Sequence, residues 1–232
     1  MEILLFNDSD LCRLEQILLE ENQVHIWYIN LEKSKNWIES KFSILDWNEK
    51  GKVMSFKYED DRLRCMAGRI FTKVLASQYL KVSEKEFSIE VTEFGKPYLN
   101  FKKLSHTHME YNLSHSGKYL AIAFSYDRFL GIDIQEMEDL PDYCEVAQNC
   151  FHNLEYEAIF NSKERGTFYD IWTGKEAYIK AVGKGWLIDS KSFYIKDGEI
   201  FVESNKAEKW QLVYVCIDEK YSVALVIGKR KL

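Results

Sequence analysis

Apolar residues fall at helical spacing in some stretches of this chain and at strand spacing in others, in both halves. Leu11, Leu14, Ile17 and Leu18 share one face of a helix predicted over Leu11–Glu20, with Ser9 or Asp10 as its cap. Val24–Ile29 hardly alternates and reads as a strand buried on both faces. A short helix is predicted over Asn36–Leu45 and a long one over Asp60–Tyr79. In the long one Leu63, Met66, Ile70, Val74 and Leu75 form the apolar stripe, and Arg62, Arg64, Arg69 and Lys73 take the polar positions. Phe87–Val91, Pro97–Leu99, Tyr119–Ser125 and Leu130–Gln135 follow as strands, the last two joined as a hairpin across Tyr126–Phe129. Helices over Tyr143–Cys150, Leu154–Asn161 and Thr167–Val182 precede four antiparallel strands: Phe193–Lys196, Glu199–Val202, Gln211–Cys216 and Ser222–Ile227. Asp197-Gly198 is a hairpin turn between the first two. The pattern is that of an α+β protein. No internal repeat is visible, and with two prolines and no Ser/Gly-rich linker any subdomains must pack tightly.

Composition narrows this. A chain of 232 residues, 46% hydrophobic and 15% aromatic, can bury one large core or two small ones, which excludes disorder. A net charge of −6 and a pI near 5.5 speak against a general nucleic-acid binder. The five cysteines are odd in number and lack C-x-x-C spacing, so free thiols in a reducing compartment are expected. No apolar run approaches the roughly eighteen residues a membrane span needs, and the N-terminus is acidic. The expectation is a soluble cytoplasmic protein.

Candidate chemistry is concentrated between Ile171 and Gly185. Trp172, Glu176 and Lys180 recur every fourth residue and so line one helix face, ahead of Gly183-Lys184-Gly185. Glu followed by Lys at that spacing is also an ordinary surface ion pair, stabilising by about 0.2–0.5 kcal/mol. Upstream, Asp133 lies between Ile132 and Ile134 on a predicted strand, where a carboxylate needs a partner. Asn112-Leu-Ser-His-Ser-Gly117 and Phe94-Gly-Lys-Pro97 are two further polar motifs. His106-x-His108 is either a polar loop or half of a transition-metal site; Cys144 and Cys150 do not face one another and read as packing residues. Val146, Ala147, Cys150 and Phe151 form either a core face or an apolar strip for a partner helix.

In order and spacing these pieces resemble the 4′-phosphopantetheinyl transferases, specifically the longer surfactin-synthetase-activating type. Gly131–Ile134 matches that family's G-[IV]-D-[IV]-E signature and Trp172–Gly185 its W-[ST]-x-K-E-[AS]-x-x-K-x-x-G-x-G signature, and the resemblance runs from about Val24 to the C-terminus. It implies two similar α+β subdomains related by a pseudo-twofold axis, with the active site at their interface. The corresponding division is an N-terminal extension over 1–23 and subdomains over 24–128 and 129–232. It further implies transfer of the phosphopantetheine arm of coenzyme A to a serine of an apo acyl or peptidyl carrier protein, dependent on Mg²⁺, by a chain that works as a monomer without nucleic acid or membrane.

The resemblance also assigns residues. Asp133 and Glu176 would ligate Mg²⁺, with Glu176 as general base; Lys180 would contact the diphosphate, and Lys175 would be secondary. His115, with Ser114 nearby, would hold the 3′-phosphate of coenzyme A, and Lys96 beside Pro97 would contact the nucleotide. Lys50, Lys52, Arg62 and Arg64 fall near 3′-phosphate positions, Lys52 and Arg64 being the preferred pair. The departure is Gln135, where the family commonly has a third acidic ligand; glutamine offers only a neutral oxygen. Two other readings compete: a catalytically weak coenzyme A or carrier-binding protein with a degraded metal site, and an unrelated metal-dependent phosphoesterase using Asp133, Glu176 and His115.

Overall fold

The computed structural model describes residues 1–101 and 109–229. The His106-x-His108 pair lies outside the described residues. The chain forms two compact units, residues 1–92 with 97–126, and residues 93–96 with 127–232.

The first unit begins with β1 (Glu2–Asn7), which pairs in parallel with β2 (Gln23–Asn30). Between them the expected helix over Leu11–Glu20 is instead a kinked 3-10 segment over Asp8–Gln16. The start moves because the Asn7 side chain accepts from Ser9 N–H while Asp10 reaches back to the Asn7 N–H, a capping box set earlier than Ser9 or Asp10. Asn30 then caps α1 (Leu31–Ser40) by accepting from Lys33 N–H at 3.0 Å, which places that helix ahead of its predicted span. The helix α2 (Trp47–Met54) was not foreseen, although Asp46 and Glu49 form a reciprocal capping box at its start. The long helix α3 (Glu59–Leu80) follows, then the hairpin β3 (Phe87–Val91) and β4 (Pro97–Phe101), and finally β5 (Met109–Ser116) and β6 (Tyr119–Tyr126). The main sheet runs β1-β2-β6-β5. Its core is built on Trp27, Ile29, Ile122 and Phe124 from the sheet against Ile70, Phe71 and Leu75 of α3.

The second unit contains β7 (Arg128–Glu136), α4 (Tyr143–Cys150), α5 (Asn153–Ser162) and α6 (Arg165–Val182). The strands β8 (Phe193–Lys196), β9 (Glu199–Val202), β10 (Asn205–Lys206), β11 (Trp210–Tyr214) and β12 (Tyr221–Lys229) complete it, in sheets of order β10-β9-β8 and β11-β12-β7. The expected hairpin of β6 with β7 does not form. Both edges of β6 are taken by β2 and β5, Asp127 turns the chain at φ 54°, and β7 pairs along its length with β12.

Taken separately, the units share one topology. Leaving aside β1 with its 3-10 segment in the first and the two-residue β10 in the second, each runs strand, three helices, hairpin, then two more strands, the last of which sits centrally: β2-β6-β5 in the first and β7-β12-β11 in the second. The repeat that the sequence conceals is therefore present in the fold, and the chain is an α+β protein of two similar units.

Candidate functional site

The strand β7 is the platform of the second unit. Its register with β12 sets Gly131 opposite Val226, Asp133 opposite Ala224 and Gln135 opposite Ser222, so these alternate residues share one face. The helix α6 lies across that face: Thr173 Oγ1 meets Ser222 Oγ at 2.9 Å. The close approach depends on Gly131, since a Cβ there would stand 1.9 Å from the Ala177 carbonyl oxygen and 2.4 Å from the Ala181 nitrogen. The helix ends at Gly183, whose φ of 76° suits a left-handed cap.

This packing brings the expected catalytic residues together. Asp133 is 2% exposed. Its Oδ1 accepts from Lys180 Nζ at 2.6 Å and its Oδ2 from Gln135 Nε2 at 3.1 Å. Lys180 Nζ also donates to the Ile132 carbonyl at 3.2 Å. Glu176, one turn before Lys180, is half-buried; burial pushes its carboxyl up, and the charge of Asp133 pushes the same way against the pull of Lys180. The Glu176–Lys180 spacing is thus more than a surface pair, because the lysine is engaged by a buried carboxylate from the strand beneath it.

The other motif residues serve the helix. Trp172 joins the rings of Phe151 and Phe168, with centroids 5.9 and 5.6 Å away. Lys175, ranked as a secondary site residue, is instead buried: its Nζ donates to Glu155 Oε2 at 2.6 Å and the Phe193 carbonyl at 2.8 Å. Burial pushes the Glu155 carboxyl up and the Lys175 amine down, and their mutual attraction opposes both. Of the apolar strip on α4 and beyond, Ala147 and Phe151 lie in the core while Cys150 is exposed. Lys96 belongs to this unit, where its Nζ donates to the Leu130 carbonyl at 3.0 Å and the Ala181 carbonyl at 3.4 Å.

The first unit holds a cavity of about 280 Å³ that gathers Arg64, Pro97 and His115. Arg64 is braced by Asp61 at 3.0 Å. Ser114 does not line it: on a strand it faces away from its neighbour His115, and it is buried where His115 is exposed. Lys52 is exposed on α2, with its Nζ 5.5 Å from the ring centroid of Phe56, which is a lining residue. Sequence reasoning missed Phe56 and Tyr111 and read Arg69 only as a polar helix position, yet all three line the cavity. The signal for Tyr111 was an aromatic residue with a polar tip directly ahead of the Asn112–Gly117 motif.

The second unit's oxygen donors are of the kind that a divalent cation takes. Asp133 and Glu176 present two carboxylates whose charges oppose each other, and Gln135, with its amide nitrogen turned to Asp133, retains a neutral oxygen. Among the described residues no group of three or more His, Cys, Asp or Glu side chains could hold a metal.

Comparison with known proteins follows the same division. Residues 32–126 match the family model described as 4′-phosphopantetheinyl transferase, N-terminal, and residues 129–226 that of the 4′-phosphopantetheinyl transferase superfamily. The chain is 28% identical over 172 residues to 4′-phosphopantetheinyl transferase HetI of a Nostoc species, covering 73% of this chain and 72% of that one. It is 28% identical over 182 residues to 4′-phosphopantetheinyl transferase Sfp of Bacillus subtilis, covering 76% and 78%. With 4′-phosphopantetheinyl transferase gsp of Aneurinibacillus migulanus it shares 29% over 154 residues, 64% of this chain and 61% of that one. With both halves matched and the carboxylates and lysine of the signature assembled on one platform, the chain belongs to the 4′-phosphopantetheinyl transferases.

Proposed function

We propose that this transferase moves the 4′-phosphopantetheine arm of coenzyme A onto a serine hydroxyl of an apo acyl or peptidyl carrier protein of fatty-acid, polyketide or nonribosomal peptide assembly. The bond broken is that between the bridging oxygen of the diphosphate and the phosphorus that bears pantetheine; the bond formed joins that phosphorus to the serine oxygen. Adenosine 3′,5′-bisphosphate leaves. The observation that carries the reading is the cluster of buried Asp133, half-buried Glu176 and Lys180, whose Nζ stands 2.6 Å from Asp133.

Glu176 takes the serine proton from its position on the open side of the helix face. Lys180, pinned by Asp133 and the Ile132 carbonyl, faces the charge that develops on the departing phosphate. Asp133 and Glu176 would hold Mg²⁺, with Gln135 lending its amide oxygen or a bound water. When bound, Mg²⁺ neutralises the diphosphate and polarises the phosphorus under attack. The first unit's cavity takes the 3′-phosphoadenosine end: Arg64 and His115 meet the phosphate, and Pro97 offers an apolar surface to the purine. Lys52 adds charge from its perch on Phe56. Lys96 is held by the Leu130 and Ala181 carbonyls and Ser114 is buried on β5, so neither is given a nucleotide contact in this reading. The enzyme works as a single chain, as the resemblance implies, in the cytoplasm, whose reducing milieu suits its five unbonded cysteines.

Intact-mass spectrometry of apo carrier domains incubated with the protein, coenzyme A and Mg²⁺ tests this. One phosphopantetheine mass is gained, and the gain disappears with a chelator or with Glu176→Ala. Coenzyme A binding without any mass gain on a panel of carriers would favour the binding-only reading.

A further inference from the structure

Among the polar groups of the first unit's cavity that the resemblance does not assign, Tyr111 and Arg69 stand out by their partners. Tyr111, 2% exposed, lines it, and among the described residues the tyrosine hydroxyl has no hydrogen-bond partner. Arg69, half-buried on α3, lines it too, and its guanidinium stands 3.9 Å from Glu49 Oε1, an ion pair too long to be a hydrogen bond. Glu49 is itself buried and also paired with Lys73 at 3.3 Å. The trio of Glu49, Lys73 and Arg69 therefore carries one net positive charge, and Glu49 aims the Arg69 fork without consuming its donors. A buried hydroxyl left unmet costs about 1–3 kcal/mol, and one acceptor placed between it and the Arg69 fork would complete both.

The chemistry of that completing group can be read from the walls. Ile89, Val91 and Leu113 make part of the wall apolar, suited to a flat ring, while α3 presents Arg69, Thr72 and Arg64, the last paired with Asp61. Arg69 supplies only donors and Tyr111 can donate, so together they suit a group rich in acceptors and negative charge. Resting on the function proposed above, we infer that Tyr111 and Arg69 bind the 3′-phosphate of coenzyme A beside Arg64 and His115. They are specificity-determining residues that set this enzyme's discrimination between coenzyme A and its 3′-dephospho form. The phosphate accepts the Tyr111 O–H and one edge of the Arg69 fork, and Glu49 remains behind the fork as its brace.

Calorimetry on the intact chain tests this apart from catalysis, using adenosine 3′,5′-bisphosphate and adenosine 5′-monophosphate as probes. Tyr111→Phe, which keeps the ring and removes only the orphan hydroxyl, weakens the bisphosphate by about tenfold and leaves the monophosphate unchanged, while the melting temperature of the ligand-free chain does not fall. Arg69→Lys, which preserves the charge beside Glu49, weakens the bisphosphate by a similar factor because the fork is lost. With coenzyme A and 3′-dephospho-coenzyme A as substrates the same variants raise KM only for the former. Equal losses for both nucleotides, or no loss for either, overturn the assignment. Because the readout is nucleotide binding, a wild-type protein that binds the bisphosphate selectively but modifies no carrier would refute the transfer reading and leave this one standing.

Discussion

The two units hold their long helices with one device, executed twice. Glu49 of α2 and Glu155 of α5 each occupy the third position of a capping box, accepting from the cap residue's own N–H at 2.9 and 3.0 Å. A buried lysine from the long helix reaches each carboxylate, Lys73 at 3.3 Å and Lys175 at 2.6 Å. Each lysine also donates to the carbonyl of the phenylalanine that opens the next strand, Phe87 at 3.3 Å and Phe193 at 2.8 Å, and lies over that residue's ring. The copies differ at the other carboxylate oxygen. Glu155 Oε1 accepts from Ile195 N–H at 2.8 Å, whereas among the described residues Glu49 Oε1 accepts no hydrogen bond and has Arg69 at 3.9 Å. The second unit's fastening is closed and purely structural; the first unit's opens toward a cavity.

Aligning Lys73 with Lys175 sets Val74 against Glu176, Gln78 against Lys180 and Arg69 against Ile171. The shared scaffold has thus been given different chemistry at each end of the long helix. The first unit carries its charges near the start of α3, beside the cavity, and the second carries its acid and lysine near the end of α6, above Asp133. Substitutions at paired positions should therefore have unequal effects. Glu176→Ala should lower the transfer rate by about 10²–10⁴-fold at unchanged melting temperature, and Lys180→Ala should lower kcat. Gln78→Ala at the position matching Lys180 should leave kcat intact, since Gln78 only donates to the Glu15 carbonyl at the protein surface. A comparable loss of kcat from Gln78→Ala would dissolve the asymmetry.

The fastenings can be broken in the same paired way. Lys175→Met strands a buried carboxylate and should destabilise the chain by about 3–5 kcal/mol in denaturant unfolding. Lys73→Met should cost less, about 2 kcal/mol, because Arg69 remains to face Glu49. Combining Lys175→Met with Glu155→Leu should recover much of the loss. If the two single variants proved equally damaging, Arg69 would have no share in balancing Glu49.

How much of this was legible in the sequence depended on the range of the interaction. The α6 motif and the strand holding Asp133 could be read because their information lies within one turn or one strand, and the positions of the second half's strands followed from local pattern. Pairing could not be read: nothing local in Tyr119–Glu136 says that β6 is already flanked on both sides, and a hairpin was the natural expectation. Lys175 sits in the most distinctive motif of the chain, yet its partner Glu155 lies twenty residues away on another helix. Tyr111 and Arg69 meet only because α3 packs beside β5, which no periodicity records. The start of α2 was a missed local signal, since Asp46 and Glu49 carry the capping-box spacing.

Through histidine, acid should act on the first unit. His25 is fully buried on β2, and its ring is held neutral by a chain of hydrogen bonds: Trp27 Nε1–H donates to Tyr79 O–H, which donates to His25 Nδ1, and His25 Nε2–H donates to Gln23 Oε1. Burial lowers its pKa from 6.5 to about 4, with Glu2 pulling weakly the other way. The unfolded ring takes its proton near 6.5 and the folded ring resists until about 4. This contribution to stability is therefore complete above 6.5 and lost as pH falls through that window, about 3 kcal/mol in all. The second unit's one histidine, His152, is half-buried and caps α5. His25→Phe should flatten the pH dependence of unfolding between 6.5 and 4.5, and an unchanged slope would assign the acid response elsewhere.

The smallest effect concerns the position where this chain leaves its family's pattern. Gln135 Nε2 donates to Asp133 Oδ2 at 3.1 Å, so without metal the glutamine stabilises the very carboxylate it sits beside. Gln135→Glu replaces that bond by repulsion between two carboxylates facing α6, and the metal-free protein should lose about 1 kcal/mol of stability. Adding Mg²⁺ should then raise the melting temperature of the variant more than that of the parent, and the Mg²⁺ concentration for half-maximal transfer should fall. The two readouts separate the possible roles of the position. A larger Mg²⁺-induced thermal shift together with a lower requirement places residue 135 among the metal's ligands. Reduced stability with an unchanged Mg²⁺ requirement would mean that Gln135 serves only to steady Asp133, and the two carboxylates alone would then define the site.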